Sequence, residues 1–171
     1  PGQDYEDTNF ELGALDSLNT KNCRFLEVRL GIQTAIEWLA SDSTFRNCHL
    51  AASRIGSLDL TGSTMNLVAL KGIKVGHANF VNASLSDVLF EDCHFETLDL
   101  FHVKLRRVQF VNCTATELDI RNLEVEDSDL SGLNFGSVRG VQFLRGATIG
   151  EVQLAQISEE LAKSAGIFLK P

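Results

Sequence analysis

Four cysteines and four histidines are the residues best suited to nucleophilic or metal chemistry, and their spacing forms none of the arrangements that such chemistry needs. Cys23, Cys48, Cys93 and Cys113 include no C-x-x-C pair, and His49, His77, His94 and His102 include no H-E-x-x-H signature. There is no glycine-rich phosphate loop and no nucleophile elbow. Neither an enzyme nor a metal or organic cofactor is therefore expected. The remaining chemical resource is charge. Twenty-three carboxylates stand against fifteen lysines and arginines, a net charge of −8. That surplus argues against direct nucleic-acid binding, which calls for a basic stripe. The charge is uneven: residues 1–43 carry −5, 44–100 carry −2, 101–135 carry −2 and 136–171 carry +1.

The elements that must position these groups are announced by a period of five. Every fifth residue from Phe45 to Phe135 is apolar, nineteen in succession. At 44% hydrophobic content such a run arises by chance on the order of once in several million. Two residues before each of these centres stands an uncharged residue no larger than Leu or Ile, among them Cys48, Ser53, Ser63, Ala83, Cys93 and Cys113. Residues i−2 and i of a short extended segment point to one side, and a corner must turn the chain before the next pair points inward again. Short sides with a corner after each make a closed coil, and stacked coils make a solenoid. All four cysteines fall at the small inward position and read as buried hydrophobes. At 171 residues the chain suits one domain, and no apolar run is long enough to span a bilayer.

The stretches Cys48-His49-Leu50, Ala78-Asn79-Phe80, Ala83-Ser84-Leu85 and Ser128-Asp129-Leu130-Ser131-Gly132 resemble the pentapeptide-repeat family. The resemblance implies an all-β solenoid: a right-handed quadrilateral β-helix of four pentapeptides per turn. Residues twenty apart would then stack on one wall, Leu50 through Leu130 on one and Ile55 through Phe135 on another. Cys93 and Cys113 would lie one rung apart, close enough to suggest a disulfide, although a reducing cytoplasmic setting favours free thiols. No two histidines would share a stack, so a metal site would need unusual geometry.

The expected organisation is a β-helix over residues 1–149 and a helical cap with its tail over 150–171. In the first coils the register weakens at Thr20 and at an inward Gln3. Between Gly31 and Thr44 the pattern degrades: Ile32, Ala35, Ile36 and Leu39 have helical spacing, and Gln33 and Trp38 suit the small inward slot poorly. That segment reads as a helical excursion or a distorted coil, the excursion being favoured. Trp38 reads as a core plug or, less readily, a binding anchor. After Gly140 the register slips. Val152, Leu154, Ala155, Ile157, Leu161 and Ala162 then form one apolar stripe, with Ser158 as a second N-cap, so one helix kinked near Ser158 or two short helices are expected. This helix would cover the open end of the solenoid. The ending also resembles that of actinobacterial members of the family. Leu154, Ile157, Leu161, Ile167, Phe168 and Leu169 are its candidate cap and homodimer residues, the alternative being a monomer whose tail folds back. The chain begins Pro1-Gly2-Gln3 without Met, so a trimmed start is expected.

For function, the resemblance leaves two readings from different classes. One is a non-enzymatic protein-binding rod of unassigned role. The other is an acidic mimic of duplex DNA that binds DNA gyrase or topoisomerase IV, as quinolone-protecting members of the family are thought to do. The candidate acidic face is Asp59, Asp99 and Asp119 in one column, Glu117 beside it, and Glu124, Glu126, Asp127 and Asp129 at a nearby corner. Arg54 and Lys74 on one wall, with Arg106, Arg107 and Arg121, dilute such a face. Leu67, Leu89 and Phe101 fall where the repeat expects polar groups, as a partner surface or as cover for the segment at 31–44.

Overall fold

The chain turns its corners on residues that accept a left-handed backbone. Asp7, Glu27, Asn47, Leu67, Asp87, Arg107 and Asp127 all have φ between 45° and 56°. A second column, Asn22, Asp42, Gly62, Asn82, His102 and Asn122, lies between 55° and 67°. Asn, Asp and Gly dominate because they tolerate this region best. The second column closes type II turns: the N–H of Ala83 donates to the Phe80 carbonyl at 2.8 Å, with positive φ at Asn82.

Between corners run short extended sides. In the computed structural model, which describes residues 1–170 and of Ser53 the backbone alone, each side pairs in parallel with the side one coil on. Phe25 faces Phe45, Leu50 faces Leu70, Ile55 faces Val75 and Phe90 faces Phe110, always twenty residues apart. The product is a parallel β-solenoid of about 7 turns, 58% strand, with a single C-terminal helix as its cap. Its four walls are centred on Phe45 (wall A), Leu50 (wall B), Ile55 (wall C) and Leu60 (wall D), together with their counterparts at multiples of twenty.

Stacking at rung spacing sets like on like inside the tube. The rings of Phe25 and Phe45 stack at 4.8 Å between centroids, and those of Phe90 and Phe110 at 4.6 Å. Such stacks contribute about 0.5–1.5 kcal/mol beyond the area they bury. The small inward slots leave room for these rings. The four cysteines are buried there as free thiols, and no disulfide joins Cys93 to Cys113. Instead their Sγ atoms lie 3.4 Å from the carbonyls of Leu70 and Phe90. Burial pushes the Cys48 thiol above its ordinary value, which keeps it protonated and unreactive.

Residues 31–44 do not leave the solenoid. Arg29–Leu39 is one continuous strand, paired with Asn9–Asn19 before it and Thr44–Asp59 after it. The corner between walls B and C explains the misleading spacing. In later coils that corner is left-handed, at Gly72, Asp92 and Asn112. In the first three coils the same column holds Leu12, Ile32 and Ala52, none of which has positive φ. An apolar residue resists that conformation, so the strand runs straight through and Ile32 and Ala52 point inward, one position early. Gln33 is consequently exposed, while the side chain of Ser53 lies outside the described residues. Trp38 fills the inward slot of wall D at 1% exposure, and its Nε1–H donates to Thr20 Oγ1 at 2.9 Å. The polar Thr20 in the core is thus the partner that the indole requires. Gln3, expected inward, is exposed.

The C-terminal end follows a different logic. The slip appears as a nineteen-residue offset, Ser128 pairing with Ala147. Gly140 (φ 96°) sits where a Cβ would meet the Ile120–Arg121 backbone. A short 3-10 turn at Val141–Phe143 leads to the helix Glu151–Ser164, which is unbroken at Ser158; that hydroxyl donates back to the Ala155 carbonyl at 3.0 Å. A Schellman motif closes it, with Ile167 N–H on the Ala162 carbonyl at 2.8 Å and Gly166 N–H on that of Lys163 at 3.0 Å.

The helix docks by only part of its apolar stripe. Val152 is 81% exposed and Leu154 49%, whereas the buried residues are Gln153 and Ile157. Leu161 is half-buried; Ile167, Phe168 and Leu169 are exposed. A solenoid end presents unpaired carbonyls, so donors are needed there more than methyl groups. Gln153 Nε2 donates to Leu130 O (2.8 Å) and Leu133 O (2.6 Å), while its Oε1 accepts from Gly150 N–H (2.7 Å). Gln156 Nε2 donates to the carbonyls of Phe135 and Gly136, both at 2.8 Å. Replacing Gln153 by Met, similar in shape but without the amide, is expected to cost about 2 kcal/mol in urea unfolding by stripping the Leu133 carbonyl and the Gly150 N–H of their partner, while Leu130 O keeps the Leu133 N–H.

Candidate functional site

The acidic column on wall D begins as corner chemistry. Asp59 Oδ1 accepts the N–H of Thr61 at 3.1 Å, Asp99 Oδ1 that of Phe101 at 2.9 Å, and Asp119 Oδ1 that of Arg121 at 3.1 Å. Asn79, in the same column, makes the same bond to Val81 at 3.0 Å without a charge. Asp129 repeats it on wall B with Ser131 at 2.9 Å. These are Asx turns, which fasten the chain as it enters a corner.

Asp119 is further neutralised. Its side chain is 6% exposed, with Arg121 Nη2 at 2.6 Å and Arg139 Nη2 at 3.7 Å. Burial alone would raise its pKa, but the hydrogen bonds and charge of Arg121, with Arg139 behind it, outweigh burial and hold the carboxyl below its ordinary value. The corner cluster is likewise paired across rungs. Glu124 lies 3.8 Å from Lys104 and Glu126 lies 3.5 Å from Arg106. Glu117, between Thr97 and Ser137, and Asp127, at its left-handed corner, are exposed. The column and Glu117 are brought onto neighbouring strips, while Glu124, Glu126 and Asp127 lie on wall A and its far corner.

Two cross-rung pairs escaped the sequence reading although their twenty-residue offset was there to find. Lys71 meets Glu91 at 2.5 Å, and Arg107 forks onto Asp87 at 2.6 and 2.7 Å. The Arg107 hydrogen bonds hold the Asp87 carboxyl below its ordinary value. Exposed pairs of this kind contribute little energy but set the surface potential.

The outward apolar residues differ from one another. Leu67 is 55% exposed at a left-handed corner, and Ile36 on wall C is 67% exposed. Leu89 is half-buried beside its ladder partner Ala69. Phe101 is engaged, with the Arg121 guanidinium 5.3 Å from its ring centroid and the His102 ring at 4.3 Å. Since residues 31–44 form a coil, no excursion is left for these side chains to cover. Among the described residues no three His, Cys, Asp or Glu side chains converge as a metal centre requires, and no buried side-chain polar atom lacks a hydrogen-bond partner.

A filled parallel solenoid with all of its variety on the outer walls defines a class of repeat scaffold, a structural fold not generally enzymatic. A family model described as a pentapeptide repeat region matches residues 40–120. Together with coils of twenty residues and corners every five, that match supports a protein of the pentapeptide-repeat family. No curated protein matches it.

Asp119→Asn keeps the Asx turn, as Asn79 shows, and removes the ion pairs. A carboxyl with a depressed folded pKa contributes stability that is complete above its unfolded value, about 3.9, and is lost as pH falls through the folded value. The variant is expected to lose about 1 kcal/mol at pH 7, both arginines being half in solvent, and to converge with the parent as thermal melts are taken down from pH 5 to 2.

Proposed function

We propose that the chain is a non-enzymatic protein-binding rod that grips its partner through outward side chains held on rigid rungs. The observation that carries this reading is Leu67. Every other described residue in its corner column is Asp, Asn, Glu or Arg, whereas Leu67 takes the left-handed conformation with an apolar side chain 55% exposed. A left-handed backbone costs a residue such as Leu roughly 1–2 kcal/mol, and a side chain more than half exposed recovers little of it by packing. Ala69 and Leu89, on the wall that Leu67 leads into, extend the apolar surface beside it. Stacked side chains fill the tube, so among the described residues the rod offers outer walls to a partner rather than an interior cavity to a substrate.

The second reading, an acidic DNA mimic acting on DNA gyrase or topoisomerase IV, has one observation in its favour. Residues 81–100 carry five carboxylates and no lysine or arginine. Two of these, Asp87 and Glu91, are paired with bases on adjacent coils, and arginines bracket Asp119. The acidic potential is therefore broken where a mimic needs it continuous, and the rod is the better reading.

Leu67→Asn is expected to raise stability by about 0.5–1 kcal/mol, because Asn suits the corner, while weakening capture of partner proteins in a pull-down. A gyrase supercoiling assay across a salt titration is expected to show no effect at micromolar protein. Salt-sensitive inhibition that disappears in Asp59→Asn/Asp99→Asn, which keeps both corner bonds, would replace the rod by the mimic.

A further inference from the structure

We infer that wall C carries a docking groove for an acidic, extended peptide segment of the protein partner, built on Arg54 and Lys74. The inference rests on the protein-binding reading and names the partner chemistry of one wall. Elsewhere the ladder puts opposite or neutral groups on adjacent rungs beside each lysine and arginine: Lys71 with Glu91, Lys104 with Glu124, Arg106 with Glu126, Arg107 with Asp87. Arg54 and Lys74 break that rule. They immediately precede the paired Ile55 and Val75, so two exposed cations stand on neighbouring rungs of one column. Like charges opposite each other across a ladder are destabilising. Neither has an ion-pair partner among the described residues. The uncharged Thr34 precedes them, and His94 continues the column with Nδ1 held by Thr114 Oγ1 at 2.9 Å.

The adjoining strip supplies the shape. Gly56 and Gly76 follow Ile55 and Val75, so the floor beside the cations is bare backbone, and the depression there measures about 530 Å³. Ile36, 67% exposed, stands in line with this floor at one end, and Glu96 at the other. An extended segment lying on the floor places a carboxylate between Arg54 and Lys74 and an apolar side chain against Ile36. Glu96 repels an acid at the opposite end, which fixes the direction of the charge. A nucleic acid fits poorly: two cations neutralise too few phosphates on a chain of net charge −8.

The test is fluorescence anisotropy of a labelled heptapeptide of alternating Thr and Glu, its Thr–Gln counterpart, and an oligothymidylate, each titrated with the full chain. The Glu peptide is expected to bind about tenfold more tightly than the Gln peptide, and Arg54→Glu and Lys74→Glu each to remove about that factor. Arg54→Glu also gives this column the alternating charges found elsewhere, so its melting temperature is expected to rise as binding falls. Equal binding of the two peptides, binding indifferent to both charge reversals, or tighter binding of the oligothymidylate would overturn the groove. So would a dimer in sedimentation that Arg54→Glu dissociates, which would assign the wall to a second copy. Loss of peptide binding with the Leu67-dependent pull-down intact overturns the groove alone; an empty pull-down counts against the rod and leaves the titration to decide the groove.

Discussion

Parallel pairing at a fixed twenty-residue offset is the constraint from which the other features follow. Once Phe25 must face Phe45 and Leu50 must face Leu70, the chain has to turn four times in each coil and arrive in register. Two of those turns use a left-handed residue throughout, and a third joins them at Gly72, Asp92 and Asn112, which is why Asp, Asn and Gly recur at the corners rather than only at a tip or a cap. The remaining freedom is small. A one-residue change at a corner either moves the inward side chain, as at Ile32, or shortens the coil, as at the nineteen-residue offset before Ala147. The first is absorbed within the ladder because it recurs in three successive coils; the second ends the ladder and hands the chain to the capping helix.

The same ladder turns sequence offset into surface chemistry. A lysine and a glutamate twenty residues apart become neighbours, as Lys71 and Glu91 do, and so do two cations, as Arg54 and Lys74 do. The surface is accordingly made of columns, and an isolated charge has little meaning without its neighbours above and below. Asp119 shows this. In sequence it is one more acid in an acidic chain; in the fold it is a corner acceptor, largely shielded and held between two arginines.

The fold was legible because a five-residue period over most of the chain has one structural meaning, and stacking at twenty follows from four sides. Two elements were not, for definite reasons. At residues 31–44 the inward residue changes phase at one corner, so Ile32, Ala35, Ile36 and Leu39 mimic a helix although Ile36 points out and the strand is unbroken. The clue was present in the column Leu12, Ile32, Ala52 against Gly72, Asp92, Asn112, where side chains that resist a left-handed corner replace ones that suit it. In the capping helix the apolar stripe found Ile157 but missed Gln153 and Gln156, because an end of stacked strands asks for hydrogen-bond donors and hydropathy does not register an amide as a packing group. For the acidic candidates the column alone could not show that six of the eight carboxylates already hold a corner N–H or a neighbouring base.

A fold this repetitive makes departures from its own rules informative. Consistency between local preference and global register is what keeps a parallel ladder from slipping, and positions that violate it cost stability. Leu67 violates the corner rule, Arg54–Lys74 violate the rule that each base meets an acid or a neutral group on adjacent rungs, and both leave the offending groups in solvent. Trp38 and Thr20 violate the small-apolar rule yet satisfy each other, so theirs is a structural solution. Strain with an internal partner is architecture. Strain left facing outward is unresolved within the chain, and that is the physical ground on which the proposed partner contact rests.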